Sequence, residues 1–301
     1  MTRLGRAGNS KAELTDRPWP RLHRSMASVL ITGASRGIGR ATAIRLAKDG
    51  WTVHAGVRSE ADGAGLAAEA GTNLVPVVLD VTDPAHLAAL PGQLGGSLDA
   101  VVNNAGFALD GPVETLSLDD LRRQYEVNVI GHVGVTQAVL PLLRQSRGRI
   151  VFVSSLSGRL STPLTGAYNS SKFAIEALAD ALRIELRRWK LKVVLVEQGP
   201  VATDMWGGAL EQHEATLNAL SPAHRELYGE TFEKARKMLA FMQKQAVPVD
   251  KVSTAIEKAL TARRPKARYQ VDVGSKVQLL ATGVTPTRMM DAILARAMGT
   301  N

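Results

Sequence analysis

The sequence predicts an α/β domain in which a doubly wound, seven-stranded parallel sheet carries helices on both faces. From Ala27 onward, short apolar runs alternate with longer amphipathic stretches, as expected when strands and helices follow one another. A glycine-rich turn follows the first apolar run, and no segment repeats along the chain. We expect a single domain, since 301 residues with 45% hydrophobic content can form one large core.

The predicted strands are the short apolar runs, and the predicted helices lie between them. The strands are Ser28–Ile31, Thr52–Val57, Leu74–Leu79, Ala100–Val102, Ile150–Val153, Lys192–Val196 and Ala267–Val273. The helices are Ile38–Asp49, Asp62–Glu69, Ala85–Leu90, Leu118–Leu143 and Ala167–Arg188. Strand and helix thus alternate, which is typical of a parallel sheet with crossover helices.

Three segments depart from this alternation. Residues 1–25 lack periodicity and are expected to be a disordered basic leader, so the main domain is assigned to residues 26–285. Residues 204–247 form a long, mostly helical insertion, a length typical of an active-site lid. Residues 286–301 contain an amphipathic helix that could dock on the domain, on a partner subunit or on a lipid surface; docking within the protein is favoured.

Composition excludes several classes of protein. The chain has no cysteine, which excludes disulfides, thiolate metal sites and cysteine nucleophiles and suits the cytoplasm. No uninterrupted apolar run is long enough to cross a bilayer, so we expect no integral membrane segment. The formal charge of +9 arises partly in residues 1–25, which hold six basic and two acidic side chains. We interpret that segment as a solvated tail rather than a nucleic-acid surface.

The turn after the first strand predicts a dinucleotide site of the Rossmann type. Three glycines, Gly33, Gly37 and Gly39, stand where a strand passes into a helix, so the backbone can approach a pyrophosphate. The helix N-terminus would present its N–H groups to that charge. The residues between these glycines that we expect at the cofactor are Ser35, Arg36 and Ile38. Because the spacing is not G-x-G-x-x-G, a purely structural turn is the alternative.

The end of the second strand favours NADP(H) over NAD(H). An NAD site usually has a carboxylate there, whereas this chain has Arg58, which together with Arg36 could pair with a ribose 2′-phosphate. The alternatives are that Arg36 only covers the turn and that Arg58 is solvated, with Glu60 serving a 2′-hydroxyl.

Two further loops follow strand ends at the same predicted edge of the sheet. They hold Asp80-Val81 and the run Asn103-Asn104-Ala105-Gly106. Neither motif alone is a strong signal for a ligand site, because Asp and Asn-Gly are ordinary loop residues. Ligands of open α/β sheets do bind at this edge, however, and both motifs lie along it.

The strongest constellation follows the fifth strand. Tyr168 and Lys172 are four residues apart, so on a helix they share one face, and Ser155 lies just after the strand. Positive charge from the lysine and from an oxidised nicotinamide should lower the pKa of the tyrosine and make it a usable acid or base. A half-buried tyrosine beside a surface lysine is the alternative for an isolated Y-x-x-x-K, and the upstream glycine turn argues against it.

These motifs together resemble the short-chain dehydrogenase/reductase family over residues 27–203. The family's T-G-x-x-x-G-x-G corresponds to Thr32 through Gly39, and its D-V and N-N-A-G motifs are the two loops just described. The resemblance implies catalytic roles for Asn128, Ser155, Tyr168 and Lys172. The family's P-G turn appears here in the inverted order Gly199-Pro200. The resemblance implies that Pro200, Val201 and Thr203 in this segment contact the cofactor.

The same resemblance implies a metal-free mechanism. Ser155 and Tyr168 would bind the substrate oxygen, Lys172 the nicotinamide ribose, and Asn128 a water chain that conducts protons. A serine-hydrolase interpretation is rejected because no G-x-S-x-G elbow is present. A non-catalytic dinucleotide sensor is the alternative from another class, and the complete catalytic set argues against it.

The insertion predicts a lipophilic substrate. It is rich in Met, Leu, Trp and Phe; most of these should pack its helices, while the expected substrate contacts are Ser155, Leu156, Leu164, Tyr168, Met205 and Trp206. The region 264–269 also resembles hydroxysteroid- and retinol-dehydrogenase-like members. We therefore expect reduction of a hydrophobic carbonyl, such as a steroid, retinoid or acyl-chain compound. The family resemblance further implies a homodimer or homotetramer.

Overall fold

The computed structural model describes residues 27–203 and 207–300. In this part of the chain the strands are β1 (Ser28–Ile31), β2 (Thr52–Val57), β3 (Leu74–Val78), β4 (Ala100–Asn103), β5 (Arg149–Val153), β6 (Lys192–Glu197), β7 (Val201–Ala202), β8 (Val247–Pro248) and β9 (Arg268–Gln270). The helices are α1 (Gly37–Lys48), α2 (Glu60–Ala70), α3 (Pro84–Gln93), α4 (Leu118–Tyr125), α5 (Gly131–Ser146), α6 (Gly166–Glu185), α7 (Ala209–Ala219), α8 (Pro222–Lys244), α9 (Val249–Thr261), α10 (Val273–Val284) and α11 (Thr287–Met298).

The main sheet has seven parallel strands in the order β3-β2-β1-β4-β5-β6-β9. The chain builds outward from β1 in one direction and then from β4 in the other, so the sheet is doubly wound. The predicted seven-stranded parallel sheet is confirmed. In such sheets the crevice for a ligand opens at the carboxyl ends of the strands where the order reverses, here beside β1 and β4.

Both faces of the sheet are covered, which explains why its central strands are mostly apolar. Val29 and Ile31 of β1 pack in one cluster with side chains of α1, α2 and α9. Leu30, which points to the other face, packs in a second cluster with side chains of α3, α5 and α6. All four residues of β1 are buried, as expected for a central parallel strand.

Two helices near the C-terminus were not predicted. The strand expected at Ala267–Val273 ends at Gln270, because Asp272 caps a new helix, α10, by accepting a hydrogen bond from the N–H of Ser275. Helix α9 also lay outside the predicted set, although its buried residues follow helical spacing. Both errors came from extending loop or strand assignments into amphipathic sequence.

The single helix expected at Leu118–Leu143 is interrupted. Between α4 and α5 the residues Glu126–Ile130 form one π-helical turn that contains Asn128. Such turns insert a residue into a helix and are frequent at functional sites.

The stretch Leu118–Ser146 is also, by length and composition, apolar enough to cross a membrane. It is the one stretch of the described residues that passes this test, although it is not an uninterrupted apolar run. Half of its most apolar window is buried in the fold, and buried core helices pass the same test.

The insertion folds as α7 and α8, and Val247 after it pairs with Val201 to form the small parallel sheet of β7 and β8. A third apolar cluster fixes these helices to the domain through Leu164, Leu220, Phe232, Ala235 and Met298, the last from α11. Helix α11 thus docks within the protein on α8.

Candidate active site

The turn between β1 and α1 is packed so closely that only glycine fits. Gly33 has φ +64°, and a Cβ placed on it would lie 2.9 Å from Cα of Ala105. A Cβ on Gly39 would lie 2.3 Å from the carbonyl oxygen of Gly33. Arg36, at the N-cap of α1, makes no side-chain capping bond. The first turn of α1 therefore keeps its N–H groups for an anionic ligand.

The loop after β4 holds this turn in place. The hydroxyl of Thr32 accepts hydrogen bonds from the backbone N–H groups of Asn104 and Ala105, each at 3.0 Å. In return, the amide of Asn104 donates to the carbonyl oxygens of Thr32 at 2.9 Å and Gly33 at 3.2 Å. Asn104 and Ala105 thus shape the cradle. The role of Thr32 was not predicted, although its place directly before the glycines was a usable signal.

A cavity of about 410 Å³ opens at the N-terminus of α1. Its lining comprises Ser35, Arg36, Gly37, Arg40, Ala41, Ala202, Thr203 and Val249. A Cβ on Gly37 would lie 3.5 Å from the Thr203 side chain, so the segment after β6 closes over the glycine turn. The structure therefore brings Ser35, Arg36, Gly37 and Thr203 together, and it adds Arg40, which pairs with Glu69.

Two cations remain available for a phosphate at this edge. Within residues 27–203 and 207–300, neither Arg36 nor Arg58 forms an ion pair with a carboxylate. Arg58 helps to keep Asp80 ionised: hydrogen bonding from the Thr82 backbone N–H, and to a smaller extent the Arg58 charge, hold the pKa of Asp80 below its usual value. The cradle, the uncapped helix and these arginines fit the phosphates of a dinucleotide.

The two residues predicted after β3 have different environments. Asp80 accepts hydrogen bonds from the N–H and hydroxyl of Thr82 at 2.9 and 2.7 Å. Val81 is buried against α5, where a Cβ on Gly131 would lie 2.6 Å from its methyl group. Val81 therefore acts through packing in this structure.

Ser155, Tyr168 and Lys172 meet where β5 ends and α6 begins. The Lys172 ammonium donates to the carbonyl oxygen of Val153 at 2.9 Å and lies 5.7 Å from the centre of the Tyr168 ring. Ser155 is buried, and its hydroxyl accepts from the N–H of Ser157 at 3.1 Å. Tyr168 is half-buried. A phenol, a hydroxyl and an ammonium therefore share one small region at the carboxyl edge of the sheet.

The pKa of Tyr168 is raised in the protein alone, whereas we expected Lys172 together with an oxidised nicotinamide to lower it. Burial disfavours the phenolate and dominates, while hydrogen bonding by Ser155 opposes it. The pKa of Lys172 is lowered to about 8, because burial disfavours its charge and the nearby Glu176 only partly compensates. In the protein alone, Tyr168 is thus the protonated acid, and the lysine charge is weakly held.

Asn128 is fully buried in the π-helical turn and contacts the backbone after β4. Its amide nitrogen donates to the carbonyl oxygen of Phe107 at 2.9 Å and to the Ser171 hydroxyl at 3.2 Å. Its oxygen accepts from the N–H of Phe107 at 3.1 Å. A Cβ on Gly106 would lie 3.1 Å from this oxygen, so Gly106 gives Asn128 room.

A partly buried ionic cluster that was not predicted lies beneath Lys172. Arg268 of β9 binds Glu176 at 3.0 Å, Asp180 at 2.8 Å and Glu197 at 3.1 Å. Glu176 lies one helical turn after Lys172, on the same face of α6. That spacing was a usable signal for Glu176, whereas Arg268 is 92 residues away in the sequence.

The expected substrate contacts are placed only in part. Leu156 lies in the short turn after Ser155, where its N–H donates to the carbonyl oxygen of Gln198 at 3.0 Å. Leu164 is buried in the cluster of the insertion helices and has φ +66°, a strained value for leucine. Met205 and Trp206 lie outside the described residues. Pro200 accepts a backbone hydrogen bond from Val247 at 2.9 Å, and Val201 is buried.

Comparison with known proteins places this geometry in context. Residues 27–214 match the short chain dehydrogenase family. The chain is 35% identical over 280 residues to an NADPH-dependent 3-dehydrocapnine reductase of Ornithobacterium rhinotracheale, covering 89% of this chain and 96% of that protein. It is 37% identical over 288 residues to retinol dehydrogenase 5 of Mus musculus, covering 91% and 89% respectively.

Solved structures show the same fold. A short-chain dehydrogenase from Streptomyces avermitilis matches with a TM-score of 0.72 and 28% identity, covering 91% of this chain and 96% of that one. A Burkholderia cenocepacia enzyme in complex with NADP matches at 0.70 and 22% identity, with coverage of 91% and 98%. A Burkholderia phymatum enzyme in complex with NAD matches at 0.71 and 24% identity, with coverage of 85% and 92%.

Proposed function

This chain belongs to the short-chain dehydrogenase/reductase family, whose members are oxidoreductases acting on CH–OH groups, and from that premise we propose that it is an NADP(H)-dependent reductase of a hydrophobic carbonyl compound. The observation that carries the proposal is the meeting of Ser155, Tyr168 and Lys172 beside the cradle formed by β1 and α1.

The proposed chemistry assigns one task to each polar group. Ser155 donates a hydrogen bond to the substrate oxygen, and Tyr168 gives that oxygen its proton during reduction or takes it during oxidation. Tyr168 is protonated in the protein alone, as the acid of the reduction must be, although its raised pKa makes it a weaker acid than a free phenol. Lys172 binds the nicotinamide ribose and supplies positive charge to the phenol. The bound nicotinamide supplies or accepts the hydride.

Asn128 is proposed to organise the loop after β4 and a water chain for proton exchange. Its side chain already holds both backbone groups of Phe107. The π-helical turn that contains it is of a kind frequent at functional sites, and the N–H of Gly131 closes this turn on the carbonyl oxygen of Glu126.

The preference for NADP(H) rests on Arg36 and Arg58. Both stand at the edge where a 2′-phosphate would lie, and neither is neutralised by an ion pair with a described residue. The name of the Ornithobacterium relative gives NADPH dependence, while similar folds bind NADP in one case and NAD in another. The cofactor cradle itself would accept either dinucleotide, so specificity is assigned to the two arginines.

A hydrophobic substrate is supported by the apolar insertion and by the relatives. Leu164, Leu220 and Phe232 form an apolar base beneath α7 and α8, next to the segment that leads into Tyr168. One relative's name gives reduction of 3-dehydrocapnine and another's gives retinol. We propose a retinoid, steroid or acyl-chain carbonyl, and place Leu156, Met205 and Trp206 at the substrate.

Self-association and location are proposed as well. We propose a homodimer or homotetramer, since α4 and α6 expose apolar side chains such as Leu118 and Phe173. Light scattering after gel filtration would measure its mass. A cytoplasmic location is supported by the lack of cysteine. Cell fractionation would test this location. It would also show whether the apolar stretch Leu118–Ser146 brings the protein into the membrane fraction.

The proposed function is tested by titrating the purified full chain with NADPH and, separately, with NADH. A panel of carbonyls from small polar ketones to steroids and retinal then follows. We expect tight NADPH binding and turnover of a lipophilic carbonyl. Much tighter binding of NADH would contradict the arginine argument, and binding without hydride transfer to any carbonyl would favour a dinucleotide sensor.

A further inference from the structure

His213, on helix α7 of the insertion, faces a hydrogen-bond acceptor on each side of its ring. Its Nδ1 lies 2.7 Å from a carboxylate oxygen of Asp110, and its Nε2 lies 2.9 Å from the carbonyl oxygen of Phe232 on α8. The side chain is only 2% exposed, so water cannot replace either partner. A neutral imidazole has one N–H and would turn a bare nitrogen toward one acceptor. Beside an ionised Asp110, only the imidazolium satisfies both contacts.

This contact joins the insertion to the loop that follows β4. Nearby, the amide of Gln212 donates to the carbonyl oxygen of Ala108 at 3.3 Å. On its other side the loop is tied to the segment before α6, because the N–H of Gly111 donates to the carbonyl oxygen of Leu164 at 2.7 Å. Leu164 precedes Tyr168 by four residues and holds a left-handed backbone conformation. The position of α7 is therefore linked to the approach to the active site.

The charged surroundings of His213 are acidic. Asp110 faces it from the loop, and Glu214 acts on it from its own helix. From α8 it meets the Phe232 carbonyl and the Phe232 ring, whose centre is 4.7 Å from the imidazole centre. The nearby charges of α8 are engaged elsewhere: Arg236 with Glu233, and Lys234 with Glu230. No cation of the described residues contacts the ring.

We propose that His213 is a positioning residue, held as an imidazolium, whose ion pair with Asp110 fastens helix α7 to the loop after β4, beside the segment that leads into Tyr168, and so sets the affinity for large hydrophobic substrates. The inference rests on the function proposed above, because it assigns helix α7 a part in binding the substrate of that reaction. Small substrates need less of the covering surface and should depend less on the pair.

The direction of the pH effect follows from the balance at the ring. Burial disfavours the charge, but the hydrogen bonds to Asp110 and to the Phe232 carbonyl outweigh it and raise the pKa of His213 above its ordinary value. Because the pKa of His213 is higher in the folded protein than in the unfolded chain, the ion pair stabilises the docked position of α7. This stabilisation is fully present at pH values below the unfolded-state pKa of about 6.5. That stabilisation is lost as the pH rises through the folded-state pKa, so the insertion should loosen under alkaline conditions.

The first experiment measures the ring directly by NMR titration of the imidazole signals in the full chain, with His213→Gln used to identify the signal. We expect His213 to titrate above about 6.5, and Asp110→Asn to lower its pKa. Titration of His213 at or below about 6.5 in the unmodified protein overturns the proposal, and this result does not depend on any enzymatic activity.

The second experiment tests the consequence for the site. Asp110→Asn and His213→Gln are each expected to raise KM for a large carbonyl about tenfold with little change in kcat, and the double variant should be no worse than either single one. Hydrogen exchange in residues 209–219 should quicken in the same variants. Glu226→Gln, at an exposed position of α8, is the matched control and should change neither quantity.

Unchanged KM together with unchanged exchange in both variants overturns the proposal. If the unmodified protein reduces no carbonyl, the proposed function fails, while the titration and the exchange still decide whether the ion pair holds the insertion. The two failures are thereby distinguishable.

Discussion

The ammonium of Lys172 donates a hydrogen bond to the carbonyl oxygen of Val153, 2.9 Å away, and so ties the helix that carries Tyr168 to the end of β5. The same burial that makes this bond specific lowers the pKa of Lys172 to about 8. The position of the lysine and the weakness of its charge therefore have one cause. Glu176, one turn further along α6 and held by Arg268, is the group that opposes this loss of charge.

Carbonyl reduction should lose kcat/KM as the pH rises through about 8. Below that value Lys172 is charged, and above it the free enzyme loses the cation that binds the ribose and supports Tyr168. The measurement is the pH profile of kcat/KM with NADPH and the best carbonyl of the panel. A profile that stays flat from about pH 7 to about pH 9 would contradict the assignment of Lys172.

Glu176→Gln should move that fall in kcat/KM to lower pH. The carboxylate raises the pKa of Lys172, and the amide removes this contribution while keeping the size of the side chain. Glu185→Gln, an exposed position at the end of the same helix, is the matched control and should leave the profile in place. Equal profiles for Glu176→Gln and the unmodified enzyme would show that Glu176 does not act on the lysine.

Tyr168→Phe should lower kcat by about 10²- to 10⁴-fold while leaving NADPH binding largely intact. The substitution removes the group that exchanges a proton with the substrate, and general acid–base catalysis contributes an effect of that size. Tyr269→Phe is the control, since its hydroxyl accepts a bond from the backbone N–H of Lys266, away from Ser155, Tyr168 and Lys172 in the hydrogen-bond pattern. Steady-state kinetics and cofactor titration measure the two effects separately. Turnover retained in Tyr168→Phe would exclude the proposed acid.

Arg36→Ala and Arg58→Ala should each weaken NADPH binding about tenfold and leave NADH binding nearly unchanged. A hydrogen bond to a charged group contributes roughly 1.5–3 kcal/mol, and only NADPH carries the 2′-phosphate. Arg40→Ala is a suitable control, because Arg40 lines the same cavity but is paired with Glu69. Fluorescence titration gives both dissociation constants. Parallel losses for the two cofactors would mean that the arginines bind the shared pyrophosphate instead.

The sequence was most informative where structure depends on neighbours along the chain. The bounds of β1 and β2 were predicted without error, because each is a short, largely apolar run that is followed by a polar residue, Thr32 and Arg58 respectively. The shared helical face of Tyr168 and Lys172 follows from their spacing alone. In contrast, the pKa direction of Tyr168 depends on how deeply the ring is covered, which spacing does not encode.

Features that depend on distant residues were missed for the same reason. Arg268 reaches Glu176 across 92 residues, and His213 reaches Asp110 across 103. No periodicity in the sequence brings such pairs together. The start of α10 is a different case. Asp272 caps this helix by accepting a hydrogen bond from the N–H of Ser275, three residues later in the chain. This short spacing is a local signal that the sequence does contain.

Gly39→Ala should destabilise the fold by about 1–3 kcal/mol and remove the stabilisation that NADPH gives. The added Cβ would lie 2.3 Å from the Gly33 carbonyl oxygen and 2.6 Å from the Asn104 amide, and the backbone oxygen cannot move without distorting the turn. Gly65→Ala, on the exposed face of α2, meets no atom within 4 Å and should stabilise the protein by up to about 1 kcal/mol through helix propensity. Denaturant unfolding with and without NADPH measures both effects. If the two alanines behaved alike, the close packing of the cofactor cradle against the loop after β4 would have to be abandoned.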